Sequence, residues 1–167
     1  FFPSAKYLHI IRDGRDVAMS WLKQPYEPRN LYTAATMWNN RVRTGRKDGA
    51  ALPAEQYLEV YYEQFLDDSP GTMRAVCSFL NEPFHESVLT PNPGPRGARA
   101  QISHERIVTS NHGKWKRSMT ERDIALFEGV AARLLDELGY EVTGTGRVIS
   151  RTEAAVWKAH QAVATLG

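Results

Sequence analysis

The stretch Lys6-Tyr7-Leu8-His9-Ile10-Ile11-Arg12-Asp13-Gly14-Arg15-Asp16-Val17-Ala18-Met19-Ser20 decides how this chain is read. Its first part, Lys6 to Ile11, is a short run rich in β-formers, the composition of a strand. Arg12-Asp13-Gly14 ends that run abruptly, and glycine permits the turn out of it. From about Arg15 to Gln24, Val17 and Trp21 recur at i and i+4 on one helical face, and Pro25 ends the pattern. The order is strand, tight turn, helix. Arg12 then stands at the carboxyl end of a strand, where open α/β sheets bind ligands, and Ser20 lies two turns into the helix. Backbone N–H groups and the dipole at a helix start favour an anion, and a guanidinium grips phosphate oxygens with a bidentate fork. The competing reading pairs Arg12 with Asp13 at a surface turn.

Outward from this stretch, Asn30 is a fair N-cap for a helix to about Lys47, with Leu31, Ala34, Trp38, Val42 and Gly45 at three-and-four spacing. Tyr57 to Tyr62 clusters β-branched and aromatic residues and predicts a second strand. Ser69-Pro70 sets an N-cap before a proline at the first helical position, opening a helix with Met73, Val76, Cys77 and Leu80 inward. Thr120 caps a helix that turns Ile124, Phe127, Ala131, Leu134 and Leu138 to one face and has Gly139 just past its end. Arg151 to Leu166 reads as a last helix. Between Thr90 and His112, prolines and glycines prevent regular structure, and a loop this long is a lid or disordered.

The 167 residues suit one core, and no composition shift marks a boundary, so the expectation is a single domain over 1–167. With 42% hydrophobic and 24% charged residues the chain is globular, and no apolar run is long enough to span a bilayer. One cysteine, Cys77, excludes an internal disulfide and a multi-cysteine metal site, and reads as a packed apolar residue. The net charge of +2 argues weakly for nucleic acid. Charge is unevenly placed, however: seven basic and two acidic residues between Arg96 and Arg122 give +5 there. That patch suits a multiply charged anion or is a solvated face. Trp115 is its lone aromatic, which counts against single-stranded nucleic acid.

The opening stretch resembles the 3′-phosphate-binding motif of the sulfotransferases that use 3′-phosphoadenosine-5′-phosphosulfate (PAPS), in which a strand ends in arginine and the next helix supplies serine at this separation. Three further blocks follow in that family's order. Tyr62-Glu63-Gln64-Phe65-Leu66-Asp67-Asp68-Ser69-Pro70 is similar to its Tyr-Glu-Asp-Leu…Pro segment, and Phe79-Leu80-Asn81-Glu82-Pro83 to its Phe-Leu-Gly-x-Pro ending. His112-Gly113-Lys114-Trp115-Lys116-Arg117-Ser118-Met119-Thr120 resembles its Gly-x-Trp-Lys-x-x-x-Thr element. The resemblance implies an α/β chain, part of a parallel sheet flanked by helices, in the P-loop-like sulfotransferase fold. It implies transfer of a sulfuryl group from PAPS to an acceptor hydroxyl or amine, giving adenosine 3′,5′-bisphosphate, with no metal.

Carried onto this sequence, Arg12 and Ser20 bind the 3′-phosphate, Tyr62 lies against the adenine, and Gly113, Lys114, Trp115 and Lys116 bring backbone and basic groups to that phosphate. Val108-Thr109-Ser110 stand where part of the family has Arg-Lys-Gly, and Arg99 or Arg106 could substitute for those contacts. On the bland readings Tyr62 is a core strand residue, Trp115 a packing anchor and Lys116 solvated. None of the five histidines, including His104 and His112, takes the family's catalytic position. The family's 5′-phosphosulfate loop and base lie before the arginine-serine motif, and Phe1-Phe2-Pro3 has neither an initiator Met nor a signal peptide's regions. The expectation is the carboxyl-terminal portion of a sulfotransferase domain, with the catalytic groups upstream of Phe1. Its partner is a small-molecule, glycan or peptide acceptor, with no nucleic acid and no membrane segment in this chain. Compartment stays open, the cytoplasm being favoured. The rival is a noncatalytic phosphonucleotide- or anion-binding module that keeps only the 3′-phosphate half-site.

Overall fold

The opening run forms β1 (Tyr7–Ile11), whose parallel neighbour β2 (Tyr57–Tyr61) pairs with it from Tyr7 opposite Tyr57 to Ile11 opposite Tyr61. The structure, a computed structural model, describes residues 3–25, 28–90 and 110–166. Arg96, Arg99, His104 and Arg106, with most of the loop expected between Thr90 and His112, lie outside the described residues. Parallel strands need a long crossover, and α1 (Gly14–Trp21) and α2 (Leu31–Gly49) lie between the two in sequence. The chain gathers into two compact units, one of Phe1–Ile11 with Asp48–His112 and the other of Arg12–Lys47 with Gly113–Gly167.

The first unit holds the sheet. β2 ends one residue earlier than the composition predicts, because Tyr62 begins α3 (Tyr62–Asp67). A helix of 6 residues is too short to show a period. α4 (Ser69–Leu80) starts as expected, but its N-cap is Asp68, whose carboxylate accepts the Gly71 N–H at 2.9 Å. α3 and α4 pack on β2, with Val76 and the free Cys77 buried and Leu80 exposed. Leu8, Ile10 and Val60 face Phe65, Met73 and Val76 across an apolar groove of about 330 Å³.

The second unit carries α1, most of α2, the short α5 (Trp115–Ser118), α6 (Glu121–Glu137) and α7 (Arg151–Leu166). Asn30 caps α2 through its side-chain oxygen, which accepts the Thr33 N–H at 2.8 Å. Thr120 and Asp123 close a reciprocal capping box on α6, and Gly139 follows at φ +78°, a conformation glycine adopts at little cost. Ala34, Trp38 and Val42 of α2 are buried, as are Phe127, Ala131 and Leu134 of α6. The Trp38 and Phe127 ring centroids are 5.8 Å apart. Trp38 also fixes the turn before α1, since its Nε1–H donates to the Arg12 carbonyl at 3.1 Å. Its ring lies so close that a Cβ on Gly14 would come within 2.3 Å of it. Glycine is required there for close approach. Among the described residues, no helix is long and apolar enough to cross a membrane.

Candidate functional site

The turn from β1 into α1 is built around Arg15, a residue that strand, helix and motif patterns leave without a role. Its side chain is fully buried. Asp13 accepts its Nε at 3.0 Å and its Nη2 at 2.8 Å, Glu128 of α6 accepts Nη1 at 3.1 Å, and the Glu141 carbonyl accepts Nη2 at 2.8 Å. The guanidinium carbon lies over the Trp115 ring, 3.6 Å from its centroid. A buried guanidinium is tolerated only when charge and hydrogen bonds replace its water, and here they do. Glu128 is equally buried and accepts the Thr143 N–H at 3.0 Å and its hydroxyl at 2.8 Å.

The Asp13 carboxylate holds the Arg15 side chain and accepts the Arg15 N–H at the helix start. Arg12 lies beside Asp16, with Nη2 3.6 Å from Oδ2. Asp16 and Ser20, four apart on α1, share one side of that helix, and Arg12 reaches Asp16 from the turn before it. Ser20 is exposed and the Arg12 side chain keeps 21% of its exposure. The N-terminus of α1 already carries two carboxylates, the capping Asp13 and the first-turn Asp16, so its dipole is largely answered from within the chain.

The same Asp16 reaches the Gly113–Lys116 element: its Oδ1 accepts the Trp115 N–H at 2.8 Å. With its N–H on Asp16 and its ring under Arg15, Trp115 is buried and anchors the element. Gly113 sits at φ +63°, where glycine is at ease, and Lys114 is exposed. Lys116 is also exposed, and its Nζ meets Glu141 Oε2 at 2.5 Å. That hydrogen bond, with the Lys116 charge, holds the Glu141 carboxyl below its ordinary range. An exposed pair of this kind is worth little and exchanges readily for another anion. Within this unit Arg12, Ser20, Gly113, Lys114, Trp115 and Lys116 thus share one framework. The partly exposed Arg12 guanidinium and the exposed Ser20 hydroxyl, Lys114 and Lys116 are hydrogen-bond donors carried by this unit.

Tyr62 belongs to the other unit, half-buried at the start of α3, where its hydroxyl accepts Asn111 Nδ2–H at 2.7 Å. Its adenine role rests on the resemblance alone. Sequence reasoning passed over Arg15, Asp16 and Glu128. One signal was present: Glu128 interrupts the apolar stripe of α6 between Ile124 and Ala131, where a charge needs a buried partner.

Comparison with known proteins agrees with the motifs. Protein-tyrosine sulfotransferase A of Caenorhabditis elegans is 30% identical over 93 residues, covering 53% of this chain and 24% of that protein. The Drosophila melanogaster protein-tyrosine sulfotransferase is 26% identical over 155 residues, 84% of this chain and 31% of that protein. Protein-tyrosine sulfotransferase 1 of Danio rerio is 25% identical over 158 residues, 84% of this chain and 43% of that protein. The chain therefore spans less than half the length of these curated relatives. Among solved structures, the sulfotransferase domain from the Synechococcus PCC 7002 olefin synthase superposes with a TM-score of 0.67 at 25% identity, covering 82% of this chain and 50% of that one. The sulfotransferase domain from the curacin biosynthetic pathway, at 20% identity and a TM-score of 0.66, shares the fold. The mixed α/β, P-loop-like architecture expected from the resemblance is thereby borne out. A family model that takes in residues 1–86, half of the chain and the whole of the Arg12 to Ser20 turn, makes this chain a member of the sulfotransferase family.

Proposed function

We propose that this chain supplies the 3′-phosphate-binding part of a PAPS-dependent sulfotransferase. Bound PAPS supplies a sulfuryl group that passes in line to an acceptor hydroxyl or amine as the acceptor loses its proton, leaving adenosine 3′,5′-bisphosphate. The observation that supports this reading is Asp16 of α1, with Arg12 beside it from the turn and the Gly113–Lys116 element fastened to it through the Trp115 N–H. Arg12 binds phosphate oxygens, Ser20 donates its hydroxyl, and Lys114 and Lys116 add positive charge from the neighbouring element. Trp115 acts by packing. Lys116 exchanges Glu141 for the phosphate.

Held phosphate fixes the nucleotide, and positioning supplies much of the acceleration in such transfers. Neutralising the sulfuryl charge and taking the acceptor proton are assigned to the part of the sulfotransferase domain that this chain does not span. The names of the relatives favour a peptide acceptor with a tyrosine hydroxyl. Titration of the chain with adenosine 3′,5′-bisphosphate tests the reading. Arg12→Ala should weaken binding by about 2 kcal/mol, the loss of one charge-assisted contact. Equal affinity of variant and parent removes Arg12 from the site, and tight binding without transfer by the chain joined to a complete domain favours the noncatalytic module.

A further inference from the structure

We propose that Arg15 is a positioning residue of the anion site: its buried guanidinium is the platform that sets where the Trp115 ring lies, and through that ring where the Lys116 ammonium stands. The proposal rests on the reading of Lys116 as one of the charges that meet the phosphate. Arg15 is fully buried and so acts through other residues. Its guanidinium is fixed by acceptors from three parts of the chain: both oxygens of Asp13, Glu128 Oε1 and the Glu141 carbonyl. Trp115 is held at two points by consecutive residues of α1, its ring by Arg15 and its N–H by Asp16 Oδ1 at 2.8 Å. The Lys116 ammonium lies over the same ring, 5.5 Å from its centroid. Glu141 completes the arrangement, since its carbonyl accepts from Arg15 while its carboxylate accepts from Lys116.

A buried ion network is a poor way to gain stability, because apolar side chains of similar volume fill the same space without the desolvation cost. What it gives is direction. An apolar side chain would pack against the indole without fixing its orientation, whereas a planar guanidinium bonded to fixed acceptors holds the ring in one place. Glu128 braces the platform from α6, being buried in turn and also accepting the Thr143 N–H and hydroxyl. These facts separate two roles for Arg15. If it only packs, its loss lowers stability and leaves the contribution of Lys116 to ligand binding intact. If it positions, the contribution of Lys116 disappears with it.

The experiment is calorimetric titration of the chain with adenosine 3′,5′-bisphosphate in five forms: the parent, Arg15→Lys, Lys116→Met, these two combined, and Arg12→Ala, each with its melting temperature. Arg15→Lys keeps the charge and loses the plane. We expect Lys116→Met to weaken binding about fivefold in the parent, and less than about twofold in the Arg15→Lys background, a coupling that independent sites do not show. Arg15→Lys alone should weaken binding about fivefold, because it takes the Lys116 contact with it. Parental affinity in Arg15→Lys, or an equal cost of Lys116→Met in both backgrounds, overturns the proposal and leaves the phosphate site standing. Parental affinity in Lys116→Met with weak binding by Arg12→Ala does the same. Parental affinity in both Lys116→Met and Arg12→Ala overturns the proposal and the reading beneath it. If Arg15→Lys does not fold, Trp115→Leu takes its place in the cycle, since it keeps the backbone N–H for Asp16 and removes the ring that joins Arg15 to Lys116. There too, an unchanged cost of Lys116→Met overturns the proposal.

Discussion

The turn that carries Arg12, Arg15 and Asp16 and the sheet of β1 and β2 are finished to different degrees. At the turn, Asp13, Arg15, Asp16 and Glu128 are all at most 5% exposed, and each charge is answered by a named partner. In the sheet, Tyr7 is 52% and Ile10 66% exposed, beside an apolar groove that Leu8 and Val60 help to line. Parallel strands are ordinarily covered on both faces. A polar network must be complete to be tolerated at all, whereas an apolar strand face can stand partly open at the cost of area left in water. The turn is consequently the part of the molecule whose geometry is specified by the chain's own residues.

The largest effect that would break this contrast is at Arg15. Replacing it with Met leaves the Asp13 and Glu128 carboxylates buried without their cation, and should destabilise the second unit by about 3–5 kcal/mol, read by urea denaturation. A loss under about 1 kcal/mol would mean that the network is not closed as described. Arg15→Lys sharpens the point, because an ammonium cannot reproduce the fork to Asp13, Glu128 and the Glu141 carbonyl together.

Adjacent isoleucines give the next test. Ile11 is fully buried and Ile10 is 66% exposed. Ile11→Ala should cost about 2–4 kcal/mol, and Ile10→Ala within about 0.5 kcal/mol of nothing. A large loss at Ile10 would show that the sheet face is covered in solution.

The smallest effect is at the exposed Lys116–Glu141 pair. The Lys116 hydrogen bond and charge lower the Glu141 pKa below its ordinary 4.5. A carboxylate with a lowered folded pKa contributes stability that is present above 4.5 and is lost as pH falls through the lowered value. Lys116→Met should therefore lower stability slightly above pH 4.5, leave it unchanged at pH below the lowered value, and so flatten the acid limb between them. Glu153, lowered by its hydrogen bond from Arg147, and Glu137, lowered by that from Arg133, keep the remainder of that limb.

How far the sequence could be read follows the same division. Caps and apolar spacing are local, so α2 from Asn30, α6 from Thr120 and the final helix at Arg151–Leu166 fall where their residues place them. The strand-turn-helix order at Arg12 is equally local. Arg15 was illegible because its partners lie 113 and 126 positions away, and nothing in the spacing of Arg-Asp-Gly-Arg-Asp says which arginine turns inward. The inward turn of Arg15 onto Asp13 is completed by Trp115 and Glu128, which arrive from much later in the chain. α3 escaped because a helix of 6 residues directly after a strand has no room for a period.

The central claim is that the Arg12 to Ser20 turn and the Gly113–Lys116 element form one anion site. Amide hydrogen exchange of the chain with and without saturating adenosine 3′,5′-bisphosphate tests it most directly. Exchange should slow together across 12–20 and 113–120, while the middle of α6 changes little. Protection confined to α6, to one of the two segments, or to neither would contradict the account.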